Sequence, residues 1–274
     1  MSFPVALQLY SVRDAMKADF FGTLKKVKDM GYDGVEFAGL MGNDPEKIKS
    51  ALEEIGLVPV AAHIAMGDFD ADLNRCLEQM KIIGAKYVVI PSVPQEYRPD
   101  AGGDFVKAFE KFRIIAEAAK KQGLMLLYHN HDFEFIKIGE KYALDLLYDT
   151  LPADLLQTEL DTCWVNVGGE NPAAYIRKYA GRAPVVHIKD FIGEKSENMY
   201  ELIGEKTNTL PRKSLQNFAF RSVGEGKQDV PAILDACRDA DTSWVIVEQD
   251  QPTEGIDPLT CAQMSVTYLK TIQK

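Results

Sequence analysis

Short apolar runs rich in β-branched residues alternate along this chain with longer stretches in which apolar side chains recur every three or four positions. The runs are PVALQL, DGVEF, GLVPVAAH, AKYVVIPSV, GLMLLYHNH, LLQTELDT, APVVHIKDF and SWVIVEQD, and each reads as a strand. The stretches between them predict helices over about 19–30, 45–55, 70–83, 104–122, 142–150 (the weakest), 172–179, 230–240 and 258–272. Asp44-Pro45 is a helix start, because the carboxylate caps free N–H groups and the proline ring is preset for the first turn. Gly31, Gly56, Gly84 and Gly123 stand where helices should end in a left-handed residue.

Eight strand-then-helix units predict a parallel sheet, since continuous apolar strands are buried on both faces. An open doubly wound sheet alternates in the same way. However, no G-x-G-x-x-G follows the first strand. Polar residues gather instead at the C-terminal end of strand after strand, and in a barrel those ends form the single rim where such enzymes keep their sites. The expected fold is therefore one (β/α)8 TIM barrel over residues 1–274. The rhythm breaks once, at the polar, turn-rich residues 191–228 after strand seven, which read as an insertion or lid over the rim. Phe218, Phe220 and Arg221 within it favour an ordered segment.

A length of 274 residues and a 46% hydrophobic fraction suit one globular domain. No run of 18 apolar residues occurs, and the N-terminus shows no basic leader, so membrane insertion and secretion are not expected and a cytoplasmic location is. Cys76, Cys163, Cys237 and Cys261 are widely spaced and predict reduced thiols. A net charge of -10 argues against nucleic acid or an anionic membrane as partner.

The rim residues, strand by strand, are Gln8 and Tyr10, Glu36, His63, His129 and His131, Glu159 and Asp161, His187 and Lys189, and Glu248 and Asp250. All four histidines of the chain fall among them. A lone strand-end histidine such as His63 is more often a hydrogen-bonded structural residue than a ligand. Read together, though, His129, Asp161, His187 and Glu248 end four successive strands and would converge in a barrel. Two imidazoles and two carboxylates suit a divalent ion of intermediate hardness such as Mn2+, Co2+ or Zn2+; Mn2+ is the expected cofactor, with Co2+, Zn2+ or Mg2+ as alternatives.

The segments LQLYSVR, GYDGVEF, YHNHDFEF, LDTCWV, VVHIKDF and VIVEQD, in this order and spacing, resemble the xylose-isomerase-like sugar isomerase/epimerase barrels, and the resemblance spans the whole chain. That superfamily includes tagatose 3-epimerase-type enzymes, hydroxypyruvate isomerases, inosose dehydratases and endonuclease IV. The resemblance implies a metal held by Glu, Asp, His and Glu after strands five to eight. Asp161, His187 and Glu248 match, while His129 stands in place of the first Glu; either His129 or another group such as Glu134 would complete the set. The chemistry implied is proton abstraction beside a carbonyl, with Glu248, His129 or His131 as the base. Return of the proton gives isomerisation or epimerisation, and loss of a β-hydroxyl gives dehydration.

Glu36, His63, Trp164, Lys189 and Arg221 are the expected substrate contacts, each with a structural alternative. For Lys189 that alternative is a salt bridge to Asp190 or another rim carboxylate. The expected partner is a sugar or cyclitol, and barrels of this group often pair as dimers. A dehydratase or lyase is the near alternative; a DNA-repair endonuclease and a non-catalytic sugar binder are remote ones.

Overall fold

The apolar runs form eight parallel strands: β1 (Val5–Gln8), β2 (Gly34–Ala38), β3 (Val58–His63), β4 (Tyr87–Ile90), β5 (Met125–His129), β6 (Leu156–Asp161), β7 (Val185–Ile188) and β8 (Trp244–Val247). In the computed structural model, which describes residues 2–195 and 218–273, they pair in chain order and β1 joins β8 to close the barrel. Side chains alternate between the two faces. Outward-facing residues pack under the helices in one continuous core, while Ala6, Val60, Ala61, Tyr87, Val89, Leu127, Val185 and Ile246 form a separate apolar cluster inside the barrel.

The predicted helix starts are built as their chemistry requires. Asp19, Asp44, Asn171, Asp229 and Asp257 each accept a backbone N–H of the first turn. The four predicted glycines all take positive φ, for example 102° at Gly31 and 83° at Gly84. Two predicted helices differ in detail. The helix expected over 70–83 starts earlier, within Met66–Ile83, and breaks at Asp72 (φ -160°, ψ 84°). There the Asp72 carboxylate accepts the Arg75 N–H at 3.0 Å and restarts the helix as a second cap. The helix expected over 104–122 opens as a 3-10 turn, Phe105–Ala108, before the α-helix Phe109–Lys121.

The short helix Thr162–Val167 directly after β6 has no counterpart in the sequence reading. Its six residues, TCWVNV, are too few and too uniformly buried for a 3.6-residue period to show. In the interval expected as an insertion, Asp190–Ile192 pairs antiparallel with Ala219–Arg221. Phe191, Phe218 and Phe220 pack with Cys163 and Trp164 in their own apolar cluster. Residues 196–217, the middle of the insertion or lid expected over 191–228, lie outside the described residues. All four cysteines are free, and no helix among the described residues is long and apolar enough to cross a membrane.

Candidate metal centre and cavity

One pleat step separates hydrocarbon from chemistry. Along β1, Ala6 is followed on the same face by Gln8; along β3, Ala61 by His63; along β5, Leu127 by His129; along β7, Val185 by His187; and past β8, Ile246 by Glu248. The register sets Asp161 opposite His187 and His129 opposite Glu159. His129, Asp161, His187 and Glu248 thus come together, all buried, with one ligand atom from each within 4.8 Å of the others.

The spacing fits a shared ion. A tetrahedral cation with bonds of about 2.0–2.1 Å sets its ligands about 3.3–3.4 Å apart. His129 Nε2 lies 3.3 Å from Asp161 Oδ2 and 3.4 Å from Glu248 Oε2, and His187 Nδ1 lies 3.1 Å from the same Glu248 oxygen. His129 Nε2 and Asp161 Oδ2 nevertheless make no directed hydrogen bond, although both are buried. Buried polar atoms seldom go unpaired, so atoms that crowd together without bonding one another suit a common partner between them.

Neighbouring side chains brace this arrangement. Asn130 accepts the Asp161 backbone N–H at 3.0 Å, tying the end of β5 to β6. Asp161 Oδ1 caps the Thr162–Val167 helix by accepting the Trp164 N–H, leaving Oδ2 to the centre. Thr162 donates its hydroxyl to the His187 carbonyl at 2.9 Å, tying β6 to β7. Glu134, the alternative ligand, is taken up elsewhere: it accepts the Tyr128 hydroxyl and the His131 N–H, and burial raises its carboxyl to about 8. Asn130 and Thr162 escaped the sequence reading because their roles depend on strand register.

Beneath the centre lies a second group, Glu36, His63, Glu159 and His187. Glu159 is two residues before Asp161 and therefore on the same barrel-facing side, one step deeper. Its Oε2 lies 2.7 Å from His63 Nε2, and Glu36 Oε2 lies 2.7 Å from His187 Nε2. Gln8 donates to Glu36 at 2.8 Å.

Among the described residues, Lys189 is the one lysine or arginine in ion-pair contact with any of five buried carboxylates here, Glu36, Glu159, Asp161, Glu248 and Asp250. The Lys189 ammonium is 2.6 Å from Asp250, 3.0 Å from Glu248 and 3.3 Å from Asp161. Of the two sequence alternatives for Lys189, a rim-carboxylate bridge is thus formed. Asp190 instead accepts four backbone N–H groups, from Phe191, Gly224, Gly226 and Gln228. The glycine-rich VGEG turn therefore cradles this chain's own carboxylate, and a Cβ at Gly226 would fall 2.1 Å from Asp190 Oδ1.

Burial alone would make the imidazoles neutral, but at His129 the Asp161 and Glu248 carboxylates close by outweigh it and lift the group to about 9. At His131 burial wins, helped by the nearby positive His129 and Lys189, and the ring is held well below its usual value. Burial would also raise Glu248, yet Lys189 and the two imidazoles hold it well below the carboxylate range.

A cavity of about 360 Å³ opens onto the centre, within the size range of small-ligand sites. His63, His129, His131, Lys189, Glu248 and Asp250 line it, with Tyr10 and Ser92 on its walls. Glu36 lies below its floor, fully buried. Trp164 stands behind the lining, its ring 5.2 Å from that of His131 and 5.3 Å from the Lys189 ammonium. Arg221 is outside the lining and donates to the Phe220 carbonyl.

Residues 24–271 match the sequence profile of the xylose isomerase-like TIM barrel. An inosose dehydratase of Clostridium perfringens is 25% identical over 260 residues, covering 88% of this chain and 85% of the relative. A sugar phosphate isomerase/epimerase structure from Parabacteroides distasonis superposes with a TM-score of 0.76 at 21% identity, over 98% of this chain and 94% of that one. The structure of IOLI protein with a binding zinc atom superposes with a TM-score of 0.69 at 14% identity, over 99% and 98% of the two chains.

Proposed function

Because this chain belongs to the xylose isomerase-like TIM-barrel family, we propose that it is a metal-dependent isomerase or epimerase that removes a proton beside the carbonyl of a keto-sugar or related polyol. The observation that carries this reading is the convergence of His129, Asp161, His187 and Glu248 beneath a cavity of matching size. A divalent ion held by these four supplies Lewis acidity toward a carbonyl and the enolate derived from it. Mn2+, Co2+ and Zn2+ all suit two nitrogen and two oxygen donors, and the zinc found in the IOLI structure supports that range.

The chain's own groups do the rest. Glu248 and His131 reach the cavity from adjacent directions and are the candidates for taking the proton and handing it back. Lys189 holds Glu248 and Asp250 in place and limits the build-up of negative charge. His63 presents an imidazole to the substrate hydroxyls while Glu159 fixes its ring.

A second reading, dehydration, has a specific observation in its favour. By the resemblance, His129 stands where the epimerases are expected to carry a metal-binding Glu, so the return of a proton would have one carboxylate fewer to use. The inosose dehydratase relatives agree with it. Both reactions share the first step. The test is incubation of the metal-loaded protein in D2O with ketohexoses, ketopentoses, 3-keto-glycosides and inososes, followed by NMR. Deuterium at the carbon beside the carbonyl of an intact sugar supports isomerisation or epimerisation, and loss of water supports the second reading. Neither change on any of these compounds would contradict both.

A further inference from the structure

The inner cluster has the makings of a site in its own right. Glu36, His63, Glu159 and His187 come from β2, β3, β6 and β7, and offer one ligand atom each within 4.8 Å. The donor set, two imidazole nitrogens and two carboxylate oxygens, repeats that of the outer centre. Glu36, Glu159 and His187 are fully buried, and Glu36 Oε1, Glu159 Oε1 and His187 Nε2 have no hydrogen-bond partner. His187 Nε2 lies 2.7 Å from Glu36 Oε2 and 3.3 Å from Glu159 Oε2 without a directed bond to either, so it is aimed between the two carboxylates.

Charge balance points the same way. Lys189 pairs with Asp161, Glu248 and Asp250, all of the outer layer, and Gln8 is a neutral donor. Among the described residues, the cationic partners of the inner carboxylates are imidazoles alone. The rings of His63, His129 and His187 crowd together, with centroids 4.8–5.6 Å apart. A divalent ion would balance both carboxylates.

We propose that Glu36, His63, Glu159 and His187 hold a second divalent cation, with His187 shared between it and the outer ion. His187 is suited to this, because its Nδ1 turns to Glu248 and its Nε2 to Glu36 and Glu159. Coordination through both nitrogens makes the ring an imidazolate, its remaining N–H proton leaving to solvent. Gln8 orients Glu36 from behind, as partners of metal ligands commonly do. The sharing of His187 rests on the outer centre of the proposed function; the inner site does not.

The test is equilibrium dialysis of the chelator-stripped full chain against Zn2+, with elemental analysis. Two equivalents are expected in the wild type, one in Asp161→Asn and one in Glu159→Gln. A single wild-type equivalent that disappears in Asp161→Asn and survives Glu159→Gln would overturn the inner site and leave the outer centre standing. A single equivalent with the opposite pattern would support the inner site and overturn the outer. No bound metal overturns both. Circular dichroism accompanies each variant; Glu36→Gln replaces Glu159→Gln if the latter does not fold, and the wild-type count stands by itself. With two Mn2+ bound, an exchange-coupled electron paramagnetic resonance spectrum is expected, and an uncoupled one overturns the shared His187.

Discussion

The two ends of the barrel interior are made by the same strands and differ by two residues. At one end Ala6, Ala61, Leu127, Val185 and Ile246 interlock as hydrocarbon. At the other, the next inward positions are Gln8, His63, His129, His187 and Glu248, and several of their polar atoms lack partners. The apolar end needs nothing beyond itself, since burial of its side chains both fills the space and stabilises it. The polar end places charge where water is excluded, an arrangement that calls for a counter-ion. The strands thus carry stability at one end and chemistry at the other.

Three substitutions break or sharpen this contrast. The largest effect is expected at Glu248, proposed to act on both metal and proton. Glu248→Gln should slow solvent-deuterium entry into substrate by about 10²–10⁴-fold, the usual contribution of a positioned base, and an undiminished rate would remove it from that role. Next is a matched pair on one strand. Leu127→Ala should lose about 2–5 kcal/mol of stability, as buried Leu truncations do, and keep its metal. His129→Ala should lose metal with a smaller fall in chemical stability. Urea unfolding and elemental analysis read both, and a common response from the two variants would erase the distinction between the ends.

The smallest effect is expected outside the barrel, at a carboxylate whose partners are complete. Asp145 accepts hydrogen bonds from Tyr175, Tyr179 and Lys178, all at 2.6 Å. Burial pushes its carboxyl up, but Lys178 and the two hydroxyls outweigh it and hold it below the ordinary 3.8. A lowered folded-state value stabilises the fold above the ordinary one and is lost as pH falls through the lowered one. Because its ionic partner Lys178 is 46% exposed and solvent screens the pair, Asp145→Asn should cost no more than about 1 kcal/mol at pH 7. The gap from wild type should close as pH falls through the lowered value; a gap that persists in stronger acid would assign the effect to something other than charge.

Much of this was legible before any coordinates. β4 and β7 are apolar on both faces, so YVVI and VVHI announce a parallel sheet, and the capping residues Asp44 and Asp257 announce the helices between. His129, Asp161, His187 and Glu248 could be grouped because each ends a strand, and strand ends converge in a closed barrel. What escaped was anything set by register or depth. The pairing of Glu159 with His63 joins β6 to β3 across the barrel, 96 positions apart in sequence. Glu36 reads as a rim residue, yet lies one layer below the cavity. The Thr162–Val167 helix is too short to leave a periodic trace.

The central claim, that four strand ends share one cation, is tested most directly by anomalous X-ray diffraction from crystals grown with Mn2+. A peak is expected within bonding distance of His129, Asp161, His187 and Glu248 together. A Mn2+ peak elsewhere, or none at this position under saturating metal, would contradict it.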